Sequence, residues 1–121
     1  MMVNSQSAVP EISVQEIARK IANQENFIVL DVRETWELAR AQLKDGRVIH
    51  APMSQLSRRG VHALPEEVVE KEQEIVVVCH HGVRSAEVTA WLLRLGWQNV
   101  HSMAGGVDAY AAQVDPSIGK Y

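Results

Sequence analysis

The sequence holds one cysteine, Cys79, in a segment whose residue types suit nucleophilic and anion-binding chemistry. The segment reads Ile75-Val76-Val77-Val78-Cys79-His80-His81-Gly82-Val83-Arg84-Ser85. Its first four residues are almost wholly β-branched, which predicts a buried strand ending at Cys79. Ser85 is a good N-cap with Glu87 in the following turn, so a helix is predicted from there. In open α/β sheets, ligands sit outside the carboxyl ends of the strands. A helix N-terminus adds unpaired N–H groups and a positive dipole end. A loop containing Gly82 can also curl its N–H groups into an anion nest, with Cys79 at its floor. The helix dipole and the Arg84 cation both favour a thiolate there. A lone cysteine after a buried strand is more often an inert core residue. The polar, cationic loop brings the reactive reading level with the inert one, and the segment alone leaves both open.

The elements that would position this loop alternate in kind. Ser13-Val14-Gln15-Glu16 matches the capping box that opens helices, and Val14, Ile17, Ala18 and Ile21 follow on one helical face. Phe27-Ile28-Val29-Leu30 is a continuous apolar run, as expected of a strand buried on both faces and ended by Asp31. Glu34 to Gln42 reads as a helix with Trp36, Ala39 and Leu43 inward. Val48-Ile49-His50 is a short strand after the Asp45-Gly46 turn. Pro65 suits a first helical turn, with Glu66 to Glu72 helical after it. Val88, Trp91, Leu92 and Leu95 form a buried helical face that Gly96 stops. Val100-His101-Ser102 is a brief strand. Val107, Tyr110, Ala111 and Val114 repeat the helical spacing after Gly105-Gly106. Parallel strands need crossovers of this length, with both faces of the sheet covered. The fold class expected is α/β, a central parallel sheet of about five strands with helices on both faces.

Composition bounds the function. The chain has 121 residues, 46% hydrophobic and 22% charged, which fits one globular domain. Residues 1–8 read as a flexible tail and 9–121 as the domain. The net charge of -3 argues against nucleic acid or a membrane surface as partner. A single cysteine excludes an internal disulfide framework and fits a reducing cytoplasm. No secretory signal or spanning segment is expected.

Four motifs, in order, resemble those of the rhodanese-like sulfurtransferases. Cys79-His80-His81-Gly82-Val83-Arg84-Ser85 is similar to that family's active-site loop. Leu30-Asp31-Val32-Arg33-Glu34-Thr35-Trp36-Glu37 resembles its Asp-Val-Arg-x-x-x-Glu stretch. Val48-Ile49-His50-Ala51-Pro52-Met53 resembles its Ile-x-Gly-Ala segment, with His50 where Gly is usual. Gly105-Gly106-Val107-Asp108-Ala109-Tyr110 resembles its Gly-Gly-x-x-x-aromatic close. The resemblance implies a persulfide on Cys79 as the intermediate. His80, His81, Gly82, Val83, Arg84 and Ser85 are then the substrate-binding residues, with N–H groups of His81 through Ser85 turned inward. Asp31 and Arg33 would brace the site. The donor would be a small anion such as thiosulfate, or a persulfide. The acceptor would be a thiol, cyanide or a protein, and no metal or organic cofactor is needed.

Other readings remain beside it. A regulatory or docking module of the same fold is one, although such modules often lose the cysteine. A phosphatase or arsenate reductase of related fold is another. Phosphotyrosine-type phosphatases use Cys-x5-Arg, and this loop is one residue shorter. His80 and His81 are expected at the pocket mouth or as solvent-exposed loop residues rather than as zinc ligands. Arg84 is expected on the donor's anionic end in preference to a surface salt bridge. Trp36, Trp91 and Trp97 read as core or half-buried packing, Arg58-Arg59 as a solvated face, and His62 and His101 as incidental.

Overall fold

Short β-branched runs separated by amphipathic stretches give a wholly parallel sheet. The computed structural model describes residues 9–121; the tail expected over residues 1–8 lies outside them. The strands are β1 (Glu11–Ile12), β2 (Ile28–Asp31), β3 (Val48–His50), β4 (Ile75–Val78) and β5 (Val100–Met103), in the order β1-β5-β4-β2-β3. Every pairing is parallel. The crossovers carry α1 (Val14–Ala22), α2 (Thr35–Leu38), α3 (Met53–Arg59) and α4 (Val83–Arg94), and α5 (Gly106–Gln113) follows β5. The expected architecture is present. No helix among the described residues is long and apolar enough to cross a membrane.

The period of two along the strands divides the core. Val29, Val76, Val78 and Met103 face one side and pack with Val14, Ile17, Val107 and Tyr110 of α1 and α5. Leu30, Ile75, Val77 and Cys79 face the other and pack with Leu56, Val88 and Leu92 of α3 and α4. The central strand β4 is buried at every position, as its composition requires.

Five local expectations are corrected. Helix α2 is a single turn, Thr35–Leu38, and not Glu34–Gln42. A capping box between Glu34 and Glu37 opens it. Ala41 then bridges to Gly119, so Leu43 is buried from an extended segment. Trp36 is accordingly 62% exposed rather than packed in the core. Glu66–Val68 is a short 3-10 turn with Pro65 as its cap, because Val68 is the one buried apolar residue that the stretch offers. Helix α4 starts at Val83, with Gly82 as N-cap at φ +102°. Ser85 therefore lies inside the first turn, where its side chain is buried, and Leu95 is exposed past the helix end.

Candidate active site

The end of β4 and the start of α4 place Cys79 under its own loop. Cys79 is 1% exposed. The Gly82 N–H donates to its Sγ at 3.1 Å and the Ser85 N–H at 3.3 Å. The thiol donates to Ser85 Oγ at 3.4 Å, and that hydroxyl shares a hydrogen bond with Ser102 Oγ of β5 at 2.8 Å. Thr89 Oγ1 donates to the Ser85 carbonyl at 2.7 Å and fixes the first turn of α4. The left-handed conformation at Gly82 is what turns the chain back over the sulfur, and a side chain there is strained. N–H groups aimed at one sulfur bind an anion more strongly than a neutral thiol. The N–H groups of Val83 and Arg84 have no acceptor among the described residues, so the helix start presents free donors beside the sulfur.

The start of α5 closes the loop from behind. The Val107 N–H donates to the Cys79 carbonyl at 2.9 Å, and the Asp108 N–H to the His80 carbonyl at 3.0 Å. Gly106 lies so close that a Cβ there would stand 2.5 Å from the Cys79 carbonyl oxygen. The Gly-Gly pair is thus a backbone-to-backbone contact between two loops.

A polar network forms the flank. Arg33 and Asp31 are a buried pair, with Nη2 to Oδ2 at 2.8 Å and Nε to Oδ1 at 3.0 Å. Arg33 Nη1 donates to Tyr121 Oη at 3.0 Å, which donates to Glu37 Oε1 at 2.9 Å. Arg84 grips Glu37 with both terminal nitrogens, at 2.7 and 2.9 Å. The Glu37 carboxylate also accepts from the Glu34 N–H at 2.9 Å. The Arg84 hydrogen bonds hold the Glu37 carboxyl well down, at about 2, and the carboxylate in turn raises the Arg84 guanidinium. The Arg84 side chain, 32% exposed, therefore lies on Glu37 and not open to the loop. His50, in the place of the usual Gly, reaches the Arg33 carbonyl from Nε2 at 2.7 Å and ties β3 to this flank.

His80 stacks between Tyr121, at a centroid distance of 3.7 Å, and His81, at 3.9 Å. Its Nε2 meets the main-chain oxygen of Tyr121 at 2.9 Å. His81 is exposed and lies 3.9 Å from Asp108. His80, His81 and Asp108 bring ligand atoms within 4.8 Å of one another, while His80 Nε2 is engaged with the main-chain oxygen of Tyr121. Cys79 is not in that group.

The fold brings the expected residues from Cys79 to Ser85 together, and sets Asp31 and Arg33 behind them. Sequence reasoning missed three members. Glu37 was visible as the acid of the Asp-Val-Arg-x-x-x-Glu stretch, and its pairing with Arg84 links two of the quoted motifs. Ser102 carried only a strand signal, and Tyr121 carried none.

Comparison with known proteins agrees with this fold. A family model described as the rhodanese-like domain matches residues 13–113. A sulfurtransferase of Allochromatium vinosum is 28% identical over 112 residues, 91% of this chain and 95% of its own. The Arabidopsis thaliana rhodanese-like/PpiC domain-containing protein 12, chloroplastic, is 29% identical over 99% of this chain, which spans 40% of that protein's length. The crystal structure of a rhodanese-related protein from Thermoplasma volcanium superposes with a TM-score of 0.69 at 27% identity, over 87% of this chain and 93% of that one.

Proposed function

This chain belongs to the rhodanese-like domain family, and from that premise we propose that it is a sulfurtransferase working through a Cys79 persulfide. The observation that carries the reading is the pair of N–H donors, Gly82 and Ser85, on the Cys79 sulfur. Cys79 thiolate attacks the outer sulfur of the donor as a nucleophile. A new S–S bond forms, the donor's own S–S bond breaks, and its electron pair leaves on sulfite or on a thiolate. The outer sulfur on Cys79 then takes the free N–H groups of Val83 and Arg84 at the helix start. An acceptor thiolate or cyanide attacks that sulfur, and Cys79 departs as thiolate. Asp31 and Arg33 hold the flank and take no part in the bond changes. The burial of Cys79 admits a thin sulfur chain in preference to a branched electrophile, which supports sulfur over phosphorus as the atom transferred. Thiosulfate, a persulfide donor and a thiol or protein acceptor are the partners proposed, in the cytoplasm.

The test is intact-mass spectrometry after thiosulfate or persulfide treatment, with Cys79→Ser and an aryl phosphate as controls. A single-sulfur adduct that cyanide removes, absent in folded Cys79→Ser, is expected. No adduct from either donor would favour a binding module. Cys79-dependent aryl phosphate hydrolysis would favour a phosphatase.

A further inference from the structure

The charges around the loop are arranged in pairs. Among the described residues hydrogen-bonded to the loop or to its flank, Arg33 is bound to Asp31 and Arg84 is bound to Glu37 by both nitrogens. Glu37 is the acid bound by three different residues. It is 3% exposed and held by four hydrogen bonds, from Arg84 twice, Tyr121 and the Glu34 N–H. A bidentate pair of this kind fixes the guanidinium in direction as well as in charge. Arg84, the only cation in the segment from Cys79 to Ser85, is thus turned aside and neutralised where it would otherwise face an incoming anion. What remains for a donor is the set of loop N–H groups, with no arginine or lysine side chain of the loop turned to meet a sulfonate.

We infer that Glu37 is a specificity-determining residue: by holding Arg84 it sets the site for a sulfane donor of low charge, a thiol persulfide, over dianionic thiosulfate. This rests on the sulfur-transfer reading above. Both donors give the same intermediate. With a persulfide, R–S–SH and Cys79 thiolate give Cys79–S–SH and R–S⁻. With thiosulfate, Cys79–S–S⁻ and sulfite form. The two differ in the charge that must approach the mouth, and that is the quantity Glu37 and Arg84 control between them. Glu37 touches neither donor; it acts through the position of Arg84.

The experiment compares kcat/KM for thiosulfate and for the persulfide of N-acetylcysteine amide, a thiol without charged groups, generated in situ. Glu37→Gln presents an amide N–H₂ to Arg84, which releases the guanidinium toward the mouth. The thiosulfate-to-persulfide ratio should rise on the order of tenfold, the value of one hydrogen bond to a charged group. The gain should lie in KM for thiosulfate and shrink in high salt. Arg84→Met leaves the Glu37 carboxylate uncompensated and should move the ratio the opposite way. The double variant Glu37→Gln/Arg84→Met restores neutrality and should restore the ratio. A residue with a merely structural role would lower both donors together. Loading of native protein by both donors, with ratios that do not diverge between the two single variants, would overturn this inference while leaving sulfur transfer intact. Should Glu37→Gln not fold, Arg84→Met alone decides the sign. No Cys79 adduct from either donor would overturn both readings.

Discussion

Gly106 is the position where one methyl group should do most damage to the site. Its φ is +66°, and a Cβ would stand 2.3 Å from the His80 carbonyl oxygen, 2.5 Å from the Cys79 carbonyl oxygen and 2.5 Å from the His80 carbonyl carbon. All three atoms are backbone, so no rotamer relieves the overlap. The left-handed conformation costs an L-residue roughly 1–2 kcal/mol. Forcing atoms into packed space costs roughly 1–3 kcal/mol more. Gly106→Ala should therefore lose about 2–5 kcal/mol. In a domain of this size that lowers the unfolding midpoint by roughly 10–20 °C. Relief comes only from parting α5 and the loop, which breaks the bonds from the Val107 and Asp108 N–H groups to the Cys79 and His80 carbonyls. Persulfide loading should then fall even in the fraction that stays folded. Gly46→Ala is the control, because a Cβ there meets nothing within 4 Å and its φ lies outside the left-handed range. Thermal unfolding by circular dichroism and mass-detected loading measure the two effects. A Gly106→Ala protein within 1 kcal/mol of the native stability, loading at the native rate, would refute the claim that this contact shapes the loop.

The other expectations concern the flank. Arg33→Met leaves Asp31 buried without its cation and should cost about 3–5 kcal/mol in urea unfolding, part of which Asp31→Asn should restore; a loss under about 1 kcal/mol would show the pair to be dispensable. The Glu37 carboxyl is depressed from 4.5 to about 2, chiefly by Arg84. A depressed carboxyl stabilises the fold above its unfolded value and loses that contribution as pH falls through the folded one. Native protein should lose on the order of 3 kcal/mol relative to Glu37→Gln between pH 4.5 and 2. A stability difference between the two proteins that is constant across this window would contradict it.

How far the sequence reaches can be seen residue by residue. Ile75–Val78 could be read because a fully buried strand selects β-branched residues at every position, and the Ser13 cap could be read because capping is local chemistry. Trp36 misled because its spacing with Ala39 and Leu43 imitates a helix face, while the bridge from Ala41 to Gly119 ends the helix after one turn. Ser85 misled in a useful way. It has the side chain of a cap, but Gly82 is the residue able to take the left-handed turn, and Ser85 is free to serve the sulfur instead. The diversion of Arg84 is written nowhere near Arg84. It depends on Glu37, on the far side of strands β3 and β4 in sequence, and on Tyr121, whose ring and hydroxyl join His80, Arg33 and Glu37 only once the chain has folded. Local pattern picks out the candidate cysteine; the charge beside it is a property of tertiary structure.

The all-parallel sheet has a kinetic consequence for the thiol. No two neighbouring strands can zip from a tight turn, and β1 finds its single partner only in β5, with Glu11 opposite Ser102. Such pairing closes long loops before any contact compensates for their entropy, which places folding nearer milliseconds to seconds than microseconds. The serine that steadies Ser85 beside the sulfur is that same Ser102. Until β5 docks, Cys79 sits at the end of an open strand without the contacts that confine it. For oxidants and bulky electrophiles, the interval of exposure belongs to the folding chain, and the native molecule offers them a closed door.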